Sequence, residues 1–265
     1  MRKTLFILSI LAVSGFMLHA QSIERKVIAS GGGTYDSPSL SVSYTFGETF
    51  VSTLANAGMM LTQGFQQSYS SNFTMKMYIQ GYYAGSGRME PVLYNEGVSP
   101  DTGMVDSVTV SLIDPATYVV VSQNKGSLSC SGFLTSTFPE KILGHGYYIK
   151  INHRNLIETW SASPVEFSLN TLYDFSVANS KAYQDPYNTN PQMIQVEPGV
   201  WAMYNGDVNQ DGTIDALDFN DMEADANAFN FGYYVTDITN SGPVDALDFN
   251  QLEANSGLFL FVAHP

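Results

Sequence analysis

The sequence predicts a mainly β chain: an antiparallel β-sandwich followed by a small α-helical module at its C-terminal end. Two observations carry this. Between residues 71 and 203, short segments alternate apolar and polar residues at period two, separated by Gly and Pro turns. Between residues 204 and 265, an acidic twelve-residue pattern occurs twice, each time followed by apolar residues at helical spacing. A third observation bounds the class. The chain has 265 residues, 44% hydrophobic and 13% aromatic, enough to bury a core and incompatible with wholesale disorder.

Residues 1–20 read as a secretory signal peptide. Arg2 and Lys3 give a positive start, LFILSILAV from Leu5 to Val13 is a short apolar run, and Leu18-His19-Ala20 offers a cleavage site before Gln21. The apolar run is short for a span of about 30 Å, and no transmembrane segment is expected later in the chain. The expected location is secreted: extracellular, cell surface or periplasm. With 11 Lys+Arg against 25 Asp+Glu the formal charge is −14, moving to −16 once Arg2 and Lys3 are removed. Such a chain lacks the clustered cations that a nucleic-acid partner requires. The lone Cys130 excludes a disulfide framework and reads as a buried strand residue.

Residues 21–70 form a short β-rich segment. Strands are expected at 26–30, 39–45, 50–54 and 59–66, with turns at Gly31-Gly32-Gly33, Asp36-Ser37-Pro38, Gly47 and Asn56-Ala57-Gly58. Residues 71–203 supply the sandwich, with strands expected at 73–80, 107–113, 118–123, 128–133, 147–153, 165–169 and 173–177 and no helix. Val108, Val110 and Leu112 of SVTVSLI fall on one face.

Residues 204–265 carry the strongest signal. No Lys or Arg follows Lys181, while 11 of the 25 acids lie beyond residue 205. Such a block is either a solvated acidic face or a site for hard cations, and spacing decides between them. Residues 207–218 read DVNQDGTIDALD. A twelve-residue calcium loop takes its ligands at positions 1, 3, 5, 7, 9 and 12, with Gly at 6 for the sharp turn. Those positions hold Asp207, Asn209, Asp211, Thr213 (through its carbonyl), Asp215 and Asp218, with Gly212 at the turn. Every ligand is an oxygen, as a hard cation prefers. Four carboxylates so close repel one another without a cation, so binding is expected to be coupled to folding.

The second copy, DITNSGPVDALD at 237–248, places Asp237, Thr239, Ser241, Pro243 (carbonyl), Asp245 and Asp248 at the same positions, with Gly242 at the turn. Two Ca2+ sites are therefore expected, the second weaker because it has three carboxylates rather than four. ALDFN recurs at 216–220 and 246–250. Phe219, Met222, Ala226 and Phe229 follow helical spacing, as do Phe249, Leu252 and Phe259, and both stripes are expected to pack between the two helices.

Three resemblances follow from these residues. VIASGGGTYDSPSLSVSYTFGETFVSTLANAGMMLTQGFQQ resembles a segment recurring in secreted and surface proteins of the Bacteroidota. GYYIKINHRNLIETWSASPVEF resembles an accessory, non-catalytic β-sandwich module of the same proteins. A loop followed by one helix, duplicated, with Asp at position 12, resembles the type I dockerin module over residues 205–260. That last resemblance implies calcium ligation at the positions named and a cohesin-like or other surface-protein partner. Dockerins contact cohesins through loop positions 10 and 11, commonly Ser-Thr, and often through basic helix residues. Here those positions hold Ala216-Leu217 and Ala246-Leu247, and the helices carry Glu223 and Glu253. The calcium ligands carry over; the standard cohesin contacts do not.

No catalytic constellation emerges. His153-Arg154-Asn155-Leu156 resembles the start of a kinase catalytic loop but lacks its Asp, and neither a phosphate loop nor a G-x-S-x-G elbow exists. Glu140, Glu158, Glu166 and Asp174 are surface carboxylates of a sandwich rather than a glycosidase pair. Trp160 and Trp201 read as core or interface aromatics rather than a sugar platform. The expected function is a secreted non-catalytic modular protein, not an enzyme, whose duplicated loops bind calcium and stabilise a structural or protein-interaction module. The alternative is a carbohydrate-binding or polysaccharide-degradation component with a glycan partner.

Overall fold

The computed structural model describes residues 70–187 and 190–265 in full and, before them, four strands: β1 (Gly31–Ser37), β2 (Leu40–Phe46), β3 (Thr53–Asn56) and β4 (Met59–Thr62). The chain divides into two compact units, Met1–Gln67 and Ser68–Pro265. The expected signal peptide and the strand expected at 26–30 lie outside the described residues.

In the first unit β1 pairs antiparallel with β2, from Gly31 opposite Phe46 to Ser37 opposite Leu40, and β3 pairs with β4. The glycines at 31–33 thus belong to a strand rather than the expected turn. Their ladder partners, residues 44–46, supply the extended pairing that local turn chemistry does not foresee.

The second unit is mainly β, with several antiparallel sheets and few helices. Its strands are β5 (Ser70–Lys76), β6 (Tyr83–Gly85), β7 (Arg88–Met89), β8 (Met104–Ile113), β9 (Val120–Ser129), β10 (Phe133–Pro139), β11 (Gly146–Asn152), β12 (Thr159–Trp160), β13 (Val165–Glu166), β14 (Asn170–Asp174), β15 (Met193–Glu197) and β16 (Val200–Met203). Its helices are α1 (Val92–Asn95), α2 (Ala216–Asn227) and α3 (Ala246–Ser256). One sheet runs β10-β5-β14 and the other β12-β11-β8-β9, with β13 on β11. Alternation along each strand sends Phe73 and Met75 of β5, Leu134 of β10, Val108 and Val110 of β8 and Ile149 of β11 into one shared core, so the two sheets form a sandwich. Each such side chain contributes about 1.5–3 kcal/mol by leaving water.

Four expectations need correction. Segments 118–123 and 128–133 do not form two strands: β9 runs through both halves, and the chain turns at 130–132, where Gly132 has φ +85. Cys130 is buried as expected, but just after the strand rather than in it. The sandwich is not wholly antiparallel, because β14 joins β5 in parallel, Leu172 opposite Thr74. A one-turn helix, α1, stands where no helix was expected. The hairpin β15–β16 then feeds the chain past Tyr78, whose carbonyl accepts from Met203 N at 2.8 Å, and into the acidic repeat.

Among the described residues no helix is long and apolar enough to cross a membrane.

Candidate functional site

Each acidic loop ends in the first turn of a helix, and its ninth and twelfth positions form the cap of that helix. Asp215 is the N-cap of α2: its carboxylate accepts from Leu217 N at 2.7 Å, while Asp218 Oδ2 accepts from Asp215 N at 2.9 Å. Asp245 and Asp248 repeat this at α3, at 2.8 and 3.0 Å. This reciprocal box satisfies orphan N–H groups, and an acid in the first turn suits the helix dipole. The remaining oxygens of Asp218 and Asp248 turn back into their loops. Asp218 Oδ1 accepts from Val208 N at 2.8 Å, and Asp248 Oδ1 from Thr239 N at 2.9 Å and Thr239 Oγ1 at 2.8 Å. Position 12 thereby ties position 9 to position 3 of the loop in both copies.

Position 1 is the most constrained. Asp207 is only 2% exposed, and its Oδ1 has no hydrogen-bond partner. Burial, then the charges of Asp218 and Asp211, push its carboxyl up to about 7. Asp237 is equally buried and accepts from Ser241 N at 3.0 Å and Gly242 N at 3.1 Å. Burial and Asp248 push it up to about 6. Positions 3, 5 and 7 are arranged differently. Asp211 accepts from Thr213 N at 3.0 Å, Thr213 Oγ1 at 2.7 Å and Asn209 Nδ2 at 2.9 Å, so its carboxylate faces its neighbours on the loop rim. Ser241 Oγ donates to the Pro243 carbonyl at 3.1 Å. Among the described residues no three His, Cys, Asp and Glu side chains gather closely enough to hold a metal by themselves. A cation here requires the amide, hydroxyl and carbonyl oxygens as well. An orphaned, buried carboxylate oxygen in an all-oxygen loop fits a hard cation.

Each loop is closed by the tail of the other repeat. Ile214 N donates to Leu260 O at 3.0 Å and Val262 N to Gly212 O at 2.8 Å, while Val244 N donates to Asn230 O at 3.3 Å and Gly232 N to Gly242 O at 2.8 Å. Met222 and Leu252 are buried in a second core with Ile157 and Tyr204 of the sandwich, and Phe219 lies against Phe249 with ring centroids 6.3 Å apart. The expected stripes are not complete. Phe229 is 91% and Phe259 80% exposed, each at positive φ just beyond its helix, where the chain leaves helical geometry and swings the ring outward.

The repeat is welded to the sandwich by residues that the loop pattern does not contain. Arg154 donates to Asp106 Oδ2 at 2.9 Å, to Tyr82 Oη at 2.6 Å and to the Tyr234 carbonyl, and its guanidinium stacks 4.1 Å from the Tyr233 ring centroid. Tyr233 Oη donates to Asp106 Oδ1 at 2.6 Å, and His153 Nε2 lies 3.1 Å from Asp106 Oδ2. Burial alone would raise the Asp106 carboxyl, but these hydrogen bonds and the Arg154 charge hold it well below the usual range. Burial lowers the His153 imidazole. Asn155 Nδ2 donates to Val235 O at 3.3 Å, and Gln210 Nε2 of the first loop donates to Leu156 O at 3.2 Å. The turn 153–156 therefore holds both copies.

One signal for this docking does lie in the sequence. Where the first repeat has Asp221 and Asp225, the second has the neutral amides Gln251 and Asn255, and those two side chains face the sandwich.

Trp160 and Glu158 of the sandwich are held by neighbours. Trp160 is 6% exposed, its ring lies 6.0 Å from Tyr148 and 5.4 Å from His264, and its indole N–H donates to Glu158 at 2.6 Å. Glu158 also accepts from Asn152 at 2.9 Å and pairs with Lys150 at 3.0 Å.

No protein-family profile matches the chain, and no curated protein matches it. Among solved structures it is similar to a chain of a C-terminal interface mutant of a type II cohesin–X–dockerin complex from Acetivibrio cellulolyticus. That match has 13% identity and a TM-score of 0.40, and covers 70% of this chain and 94% of that one. It is similar in the same way to a chain of the N-terminal interface mutant of that complex, at 11% identity and TM-score 0.41 over the same shares. Likenesses this weak define no family.

Proposed function

We propose that this is a secreted, non-catalytic modular protein whose duplicated loops bind two calcium ions and thereby stabilise a protein-interaction module. The observation that carries the reading is Asp207: a carboxylate at position 1 of an all-oxygen loop, almost wholly buried, with one oxygen unpartnered. An uncompensated buried carboxylate is costly, and a cation compensates it. Asp207, Asn209, Asp211, the Thr213 carbonyl, Asp215 and Asp218 would hold the first ion. Asp237, Thr239, Ser241, the Pro243 carbonyl, Asp245 and Asp248 would hold the second, with lower affinity. The ion supplies positive charge where the folded loops concentrate acids.

The dockerin resemblance extends this to a partner. Leu217 and Leu247 are 55% and 57% exposed at the first turns of the two helices, in duplicated Ala-Leu steps on an acidic, cation-free repeat. An apolar contact with a basic rim on a surface protein suits them better than the polar contacts of cellulosomal dockerins.

The test is calorimetric titration of CaCl2 into the EDTA-stripped chain, with melting followed in parallel. Two binding events and a raised Tm are expected; at 100 times the dissociation constant one site stabilises by about 2.7 kcal/mol. No heat and no shift overturns the proposal.

A further inference from the structure

Asn205 lies two residues ahead of Asp207, fully buried, where the sandwich and both loops meet. Its Nδ2 donates to the carbonyl of Ile238, the second residue of the second loop, at 2.5 Å. Its Oδ1 accepts from Gln251 Nε2 on α3, and its main-chain carbonyl accepts from Asn255 Nδ2 at 2.7 Å. Its backbone bridges Leu156 of the sandwich. One side chain thus joins the entry of loop one, the entry of loop two and the helix that follows loop two.

Its surroundings are closely packed. A Cβ at Gly81 would stand 2.0 Å from the Ile238 carbonyl, 2.6 Å from Asn205 Nδ2 and 2.7 Å from Gln251 Nε2. The sandwich backbone presses directly on the node. The loops do not hydrogen-bond to each other at their eighth residues, since Ile214 N and Val244 N go to Leu260 and Asn230. The crossed tails and Asn205 are hydrogen-bonded links between the two loops, beside the packing of Phe219 on Phe249.

We propose that Asn205 is a positioning residue that makes the two loops fill cooperatively: ordering either loop around an ion fixes the Asn205–Ile238 bond and so preorders the other. The inference rests on the calcium reading above. A shared ordering cost, met by whichever ion binds first, is positive coupling between sites.

The experiment is calorimetric titration of CaCl2 into the EDTA-stripped full chain, in the parent and in variants with one loop disabled, Asp215→Ala or Asp245→Ala. The overall two-ion constant of the parent is expected to exceed the product of the two single-loop constants by about 5- to 150-fold. In the Asn205→Ala background the same ratio is expected to fall to about one. Gln251→Ala, a milder change at the partly buried end of the same contact, is expected to lower the ratio too, and decides the matter if circular dichroism shows Asn205→Ala unfolded. A parent ratio of about one, or a ratio unchanged by these substitutions, overturns the proposal while leaving calcium binding intact. A parent that takes up no calcium removes the calcium reading and this proposal with it.

Discussion

Gln80 of the sandwich and Asn255 of the last helix form a reciprocal amide pair, 175 residues apart in sequence. Gln80 Nε2 donates to Asn255 Oδ1 at 3.2 Å, and Asn255 Nδ2 donates to Gln80 Oε1 at 2.7 Å. Asn255 is buried, so breaking the pair strands Gln80 and the Asn205 carbonyl together. Asn255→Ala is expected to destabilise by about 1–3 kcal/mol, the cost of leaving buried partners unsatisfied. Urea denaturation measures it. A change within a few tenths of a kcal/mol would show that this amide pair does not hold the helix.

Gly81→Ala tests the same seam by crowding it. The added methyl meets main chain and two amides below 3 Å, so the helix must move away from the sandwich. A loss of about 1–3 kcal/mol is expected. Amide exchange should speed up in α3 more than in the strands β8 and β11. Uniform exchange would contradict it.

Arg154→Met removes the cation from the buried Asp106 cluster while keeping an apolar stem against Tyr82 and Tyr233. Leaving a buried carboxylate without its partner costs about 3–5 kcal/mol. Arg154→Lys should recover only part, because one ammonium cannot serve Asp106, Tyr82 and the Tyr234 carbonyl in a planar fork. Equal melting temperatures for the Lys variant and the parent would refute the geometric reading.

The calcium-free chain should lose stability as pH rises. Asp207 and Asp237 have folded-state values of about 7 and about 6 against 3.8 for the free side chain. A raised acid means that the folded state holds more protons than the unfolded one between these limits, so unfolding becomes easier as pH climbs from about 4 to about 7. Calcium should reverse the slope, because its ligands must be deprotonated. Melting in EDTA and in CaCl2 across this range checks both signs.

Asp207→Asn separates repulsion from ligation. The amide keeps the shape, removes a buried charge and leaves an oxygen for the loop. In EDTA at pH 8 its Tm should equal or exceed that of the parent, whereas its calcium affinity at loop one should fall at least about tenfold, a loss of about 1.4 kcal/mol. A lower Tm in EDTA would mean that the Asp207 charge is compensated within the protein.

Much of this molecule is legible from short-range pattern. The twelve-residue spacing, the helix expected after each loop and the period-two alternation of Val108, Val110 and Leu112 each depend on neighbours within a few residues. Backbone geometry enforces such patterns locally. Position-specific chemistry also marked Asp207 and Asp237, though not how deeply they lie. The outward turn of Phe229 and Phe259 was not legible, because helical spacing continues in sequence past the point where the backbone leaves the helix.

The sequence by itself determined the two loops, the helices they start and the mainly β character of what precedes them. Only the tertiary structure decided that β14 lies parallel to β5, that His153-Arg154-Asn155 clasps the acidic repeat, and that Asn205 stands between the two acidic loops. These features rest on partners 33 to 127 residues away, such as Ile238 for Asn205 and Tyr233 for Asp106. A hydrogen bond to a distant carbonyl leaves no periodic trace in the chain that makes it. It comes into being only when packing brings the two ends together and burial makes the unpaired alternative costly.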